Sequence, residues 1–194
     1  MEDVLRLLVW CCYESGNLVR DLGFPDLALL ATSLMHEATG HLGDPTYLAV
    51  TGFARTHALS SVSTSAFGAA VEVGTSAAEQ VLPTPSSEAL SAYGSLQLAV
   101  AFALAVAGFG PDAAERLTEA ERVAARLDTA TEIGRHLAFG APNVELHRIA
   151  TAVELGDPDS ALQAARRVQP EQGPLPRPPS IALARCRPGA FRTP

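Results

Sequence analysis

Apolar residues recur along this chain three and four positions apart, the spacing that places them on one face of a helix. Short turns rich in glycine and proline interrupt the pattern. Residues 2 to 22 predict a first helix ending at Leu22-Gly23, and Phe24-Pro25-Asp26 opens a second that runs to Leu42. Gly43-Asp44-Pro45 is the next break, followed by helices over about 46–60 and 64–82, the latter stopped by Pro83-Thr84-Pro85. Ser86 or Ser87 caps a fifth helix. Gly108-Phe109-Gly110-Pro111-Asp112 ends it and begins a sixth, to about Leu127. Glycine just past a helix and proline in the first turn of the next suit these junctions, because one accepts a left-handed backbone and the other lacks only an N–H that the helix start leaves unused. The linker from Asp128 to Ala141 is the least regular stretch. After it, a last hairpin spaces Leu146, Ile149, Ala150 and Val153 on one helix and Ala161, Leu162, Ala165 and Val168 on the other, joined by Gly156-Asp157-Pro158.

The second helices of successive pairs can be laid over one another from Asp26, Ala66, Asp112 and Asp159, starts that lie 40 to 47 residues apart. This is a degenerate repeat, longer than the roughly 34 residues of a tetratricopeptide unit. Small residues such as Ala31, Ala38, Ala70, Ala77, Ala113 and Ala120 allow close helix-to-helix approach. The expected fold is therefore all-α, a tetratricopeptide-like α-solenoid of about four antiparallel helix pairs over residues 1–169. Residues 170–194 hold seven of the chain's 14 prolines and four arginines against one acid. Proline at that density cannot continue the helices, so a Pro/Arg-rich tail, extended or disordered, is expected there.

Composition narrows the possibilities. With 47% hydrophobic residues, the 194-residue chain has ample material for a core, and only 6% aromatics with abundant alanine favour packed helices over a β-sandwich. A net charge of -7 argues against a nucleic-acid surface, which needs a clustered positive field. All 14 basic residues are arginine. Cys11, Cys12 and Cys186 suggest no disulfide framework, since neighbours on a helix point in different directions; a reducing cytoplasm is the expected compartment. The acids of MEDVLRLLVWCCY stand where a signal peptide needs a positive segment. Ala89 to Pro111 has no formal charge, but only Leu96 to Phe109 is strongly apolar, short of a membrane span, so a buried central helix and no membrane contact are expected.

The strings HLAFGAPNVELHRIATAVELGDP, LVRDLGFPDLALLATSLMHEATGHLGDP and SEALSAYGSLQLAVA resemble the C-terminal tetratricopeptide-like regulatory region of actinobacterial helix-turn-helix (XRE-type) transcriptional regulators. The resemblance covers most of residues 1 to 169 and rests mainly on Phe139-Gly140, Asn143, His147-Arg148 and Val153-Glu154-Leu155-Gly156-Asp157. It implies a sensor or assembly module for peptides, small molecules or partner proteins, with no catalytic residue. Nothing precedes the first helix, so the family's DNA-reading domain is expected to be missing and direct DNA binding is not inferred. Where that family continues with another helix pair, this chain has its proline-rich tail.

In such an array the first helix of each pair lines the concave side. The first helix here offers Arg6, Trp10, Tyr13, Asn17 and Arg20 on one face, the third Thr51 and Arg55, the fifth Tyr93 and Gln97, the seventh Asn143, His147 and Thr151. Arg6, Trp10, Tyr13, Asn17, Thr51, Arg55, Tyr93, Gln97, Asn143 and His147 are the candidate ligand-binding residues of one groove with aromatic walls and a few donors. Trp10 and Tyr13 also suit packing against a neighbouring helix, His147 a hydrogen bond to a backbone carbonyl, and Arg55 an internal pair with Glu37 or Glu72. Glu115, Glu119, Arg122 and Arg126 suit a solvated helix face.

Chemistry motifs are otherwise absent: no phosphate loop, no nucleophile elbow, no Cys-x-x-Cys, and Glu37 with His41 lacks a third metal ligand at suitable spacing. No cofactor, metal or catalytic residue is assigned. Two function classes follow. One is a helical-repeat module that binds a peptide, partner protein or small molecule in a regulatory or signalling setting. The other is a small-molecule-binding or processing protein of a biosynthetic pathway that uses the same groove. A homodimer is expected through an apolar terminal face, the side of Ala161, Leu162, Ala165 and Val168.

Overall fold

A computed structural model describes residues 1–168; the tail expected over 170–194 lies outside them. The described residues are all-helical, without a strand. The elements are α1 (Glu2–Asp21), α2 (Pro25–Leu42), α3 (Pro45–Val62), α4 (Phe67–Val81), α5 (Ser87–Val106), α6 (Gly110–Ala124), α7 (Glu132–His136), α8 (Ala141–Glu154) and α9 (Pro158–Ala165). A 3-10 turn over Thr64–Ala66 precedes α4. Sequence periodicity located every one of these except α7, which forms inside the stretch expected to be irregular.

The junctions follow from local chemistry. Gly23, Gly43, Gly108 and Gly156 all take positive φ, and a proline then sits in the first turn of α2, α3, α6 and α9. Side chains complete several helix starts: Asp44 accepts from the Thr46 N–H at 2.8 Å, Ser86 from Ala89 at 3.0 Å and Asp157 from Ser160 at 3.0 Å.

α5 is the hub. It packs on α3, α4, α6, α7 and α8, while α1 packs on α2 and α3, and α8 on α6 and α9. Apart from Gln97, its middle is apolar or small, and Leu96, Leu98, Val100, Ala101 and Ala103 are all buried. Among the described residues, α5 is the one helix long and apolar enough to cross a membrane, and 78% of that window is buried within the protein. Three apolar clusters surround it: one joins α1 to α5 with Ile133 and Leu137, one joins α5, α6 and α8 with Phe139, and a smaller one holds Phe67, Ala70 and Ala103.

Several glycines mark where elements meet without space for a side chain, Gly52 and Gly94 among them. A methyl group at Gly52 would collide with Ala77 of α4, and one at Gly94 would fall within the Phe139 ring. Phe139 reaches that hole because Ala138 adopts a left-handed conformation at φ 56° and turns the chain at the end of α7.

Gly94→Ala is therefore expected to expel the Phe139 ring and to destabilise the protein by about 2–4 kcal/mol, the range for lost aromatic packing or overpacking. Urea unfolding of Gly94→Ala, Phe139→Ala and the double variant checks this. The double variant should cost clearly less than the two single changes together, since the methyl then enters space the ring has left.

Candidate functional site

Four of the ten expected groove residues, Arg6, Trp10, Tyr13 and Asn17, lie with Arg20 along one face of α1. The structure gives that face partners from within the chain. Trp10 stacks on His136 with ring centroids 4.0 Å apart, and meets Tyr13 and Tyr47 edge-on. The Arg6 guanidinium stands over the Tyr47 ring at 5.6 Å. Tyr13 is buried beside Phe53, with its ring 6.5 Å away, and hydrogen-bonds Asn17.

The partner of Trp10 comes from α7, and α7 is held in place by distant residues. The Glu88 carboxylate accepts the N–H groups of Glu132 at 3.0 Å and Ile133 at 2.8 Å, two donors that the start of a helix leaves without intrahelical partners. The Thr131 hydroxyl accepts from Gly134 at 2.8 Å and donates to Ser91 at 2.9 Å. Ile133 and Leu137 then enter the cluster that contains Tyr13, Phe53 and Leu96. Burial of each such side chain contributes about 1.5–3 kcal/mol. The chain's own residues 131–139 thus occupy the side on which a guest was expected. The cavity lined by Tyr13, Asn17, Arg20, Thr32 and Ala54 holds about 10 Å³, no more than one water.

Four of the remaining six candidates divide between two other places, and Thr51 and Arg55 belong to neither. Tyr93 and Gln97 of α5 line an open groove of about 410 Å³ together with Val71 and Leu104 and with Asp112, Glu115, Arg116 and Glu119 of α6. There Arg116 donates to the Gln97 side-chain oxygen at 3.1 Å, and the Tyr93 hydroxyl lies 3.4 Å from a Glu119 oxygen. Burial and the Glu119 charge push the Tyr93 phenol above its ordinary value. Arg122, on the same groove, bonds the other oxygen of Glu119 at 3.3 Å. Glu119 and Arg122 lie on a solvated helix face, as expected, and Glu115, Glu119 and Arg122 of that face also line this groove.

Asn143 and His147 sit on the buried face of α8 with Thr151, each four residues from the next. His147 Nδ1 lies 2.9 Å from the Asn143 carbonyl oxygen, which can only accept, so the neutral ring carries its proton on Nδ1. Asn143 Oδ1, His147 Nε2 and Thr151 Oγ1 are buried without a partner among the described protein groups. Burial lowers His147 to about 4. His57 of α3, which the sequence reading did not single out, is buried edge-on to Phe53 at 4.5 Å and held well below its usual value by burial, then by the Arg20 charge and by His147. Thr51 is spent inside the core, donating to the Tyr47 carbonyl at 3.2 Å beside Thr39.

Arg55 is half-buried on α3, and among the described residues no ion pair joins it to Glu37 or Glu72. Neither the groove nor the small cavity includes Arg55 or His147. The ten candidates therefore do not share one groove. Among the described residues no group of three or more His, Cys, Asp and Glu stands close enough together to hold a metal ion. No family model matches the chain, and no curated protein or solved structure proved similar to it.

The two buried histidines make stability depend on pH in a defined direction. Both are uncharged in the fold, whereas unfolding returns them to about 6.5, so between 6.5 and about 4 the unfolded chain binds more protons. Stability should be level above about pH 7 and fall as pH drops, each histidine contributing up to about 1.4 kcal/mol per pH unit. Urea midpoints measured from pH 8 to pH 5 check this. His57→Leu should reduce the slope by about half, and a profile already flat in the unaltered protein would contradict the burial of both rings.

Proposed function

We propose that this chain is a tetratricopeptide-like helical-repeat module that recruits another protein by contact, in a cytoplasmic regulatory or signalling setting, without itself binding DNA or converting a substrate. Its helices would form a solenoid of about four pairs. The order of packing supports that reading: each first helix, α1, α3, α5 and α8, packs on its own second helix, α2, α4, α6 and α9, and successive first helices, α1 with α3, α3 with α5 and α5 with α8, pack on one another. Repeat arrays stack in this nearest-neighbour way. The acid excess fits a partner other than nucleic acid.

The observation that carries the functional reading is the open groove with Tyr93 and Gln97 on α5 and Arg116 and Glu119 on α6. It offers the edge of one aromatic ring and charges of both signs, with the buried Gln97 amide beneath them holding Arg116 in place. Such a set matches a peptide segment, whose backbone presents amide donors and acceptors and whose side chains supply the charge. The side once expected to receive the guest already holds residues 131–139, so the docking surface moves to the neighbouring face.

The small-molecule alternative draws on one observation, the row Asn143, His147 and Thr151 with unpaired buried polar atoms and a strongly lowered histidine. A buried row of that kind can orient a small polar ligand once the site opens. Neither opening in the structure reaches it, which makes it the weaker reading.

Selection of peptides from a random display library against the full chain tests the proposal. Enriched peptides are expected to bind with micromolar affinity by calorimetry, and Gln97→Ala with Arg116→Ala should weaken them at least tenfold. Peptide binding that ignores those substitutions, or native mass spectra showing a small molecule retained only while His147 is present, would overturn it.

A further inference from the structure

α1 and α2 leave a large apolar surface uncovered. Along α1 and its C-terminal cap, Val4, Leu8, Cys11, Ser15, Leu18 and Leu22 form a row on the side opposite the buried Val9, Cys12, Tyr13 and Gly16, and all six are exposed. Val4, Leu18 and Leu22 each keep more than 60% of their surface, and Leu7 beside them keeps 64%. On α2, Leu27, Leu30 and Leu34 retain 50%, 59% and 48% and share one face. Isolated exposed leucines are ordinary, but a contiguous field on two adjacent helices is not.

We propose that a second copy of this chain covers the face, the two α1 helices crossing antiparallel at the level of residue 13. The row is its own complement when reversed about that point: Val4 meets Leu22, Leu8 meets Leu18, and the small pair Cys11 and Ser15 meets Ser15 and Cys11 where the helices approach most closely. No charged residue interrupts it. The partner's α1 would then rest in the groove between α1 and the leucines of α2, as α3 already packs on both helices from the other side.

Dimensions agree. A helix of 20 residues is about 30 Å long, and two helices side by side span roughly 20 Å, giving about 600 Å² per copy and about 1,200 Å² in total. That reaches the lower bound of about 1,200 Å² for a stable interface, and the apolar character is that of permanent pairs. The C-terminal face that sequence alone pointed to is poorer: Ala161 is buried, and Leu162 is exposed as a single large side chain of α9. The exposed acids Asp3, Glu14, Asp21, Asp26 and Glu37 rim the α1–α2 face, so two copies bring like charges together at the edge. Association of this kind tightens with added salt, whereas a basic partner would be released by it. Nothing here depends on the Tyr93–Gln97 groove, and groove variants should associate as the unaltered chain does.

Sedimentation of the full chain under reducing conditions should show dimers at low micromolar concentration, tightening between 50 mM and 500 mM salt, while Leu8→Glu with Leu18→Glu shifts the chain to monomer with unchanged circular dichroism. Independently of that double variant, Ser15→Cys should form disulfide-linked dimers with diamide at least fivefold faster than Thr118→Cys on the exposed face of α6. Monomers throughout the micromolar range, a dimer weakened by salt, or equal cross-linking of the two cysteine variants would overturn the proposal.

Discussion

The packing of residues 131–139 against α1, α3 and α5 is the contact on which the rest of this structure depends. Three apolar side chains enter from one short segment: Ile133 and Leu137 into the larger cluster, Phe139 against Gly94. A helix of five residues has no stability of its own, because nucleation costs more than so few hydrogen bonds return. It exists because Glu88 supplies the acceptors its first N–H groups need and because its anchors are buried. The same segment connects α6 to α8, so its seat also sets where the last pair lies against α5.

This insertion redistributes the polar residues. Trp10 and Tyr13 find His136, Tyr47 and Phe53 and serve as walls for an internal occupant. His57 and His147, removed from solvent, stay neutral, because burial disfavours the charged imidazole: His147 keeps one hydrogen bond and leaves Nε2 unpaired, and His57 packs edge-on against Phe53. Polar groups still open to solvent in a concave setting lie between α4, α5 and α6, on Glu115, Arg116, Glu119 and Arg122 above the buried Gln97.

Much of the architecture was legible from residues that act locally. The Gly-x-Pro and Gly-x-Gly-Pro junctions work through backbone conformation, and α5 declared itself by lacking charge over its whole apolar half. Most helix starts and the buried centre were therefore expected correctly, whereas α6 and α9 end at Ala124 and Ala165, short of the expected Leu127 and Val168. α7 was not, because Ile133 and Leu137 are only two apolar positions in a polar run and the forces that fix it come from Glu88 and Ser91, more than 40 residues away at Glu88. The site was less legible for a related reason. Periodicity finds the stripes on a helix but not which neighbour each stripe faces, so Thr51 ends in the core and Gln97 on an open groove although both were assigned to one surface. His57 gave no signal of its own; only its burial beside Phe53 makes it notable.

Hydrogen exchange at the backbone amides of residues 131–139 tests this account most directly. Ile133 donates to Glu88, Gly134 to Thr131, Leu137 to the Ile133 carbonyl and Phe139 to that of Gly134, so these four amides should be protected nearly as strongly as those in the middle of α5. Exchange at the rate of an exposed loop, while α5 remains protected, would mean that the segment does not occupy the inner face and that the side lined by Trp10 and Tyr13 is open.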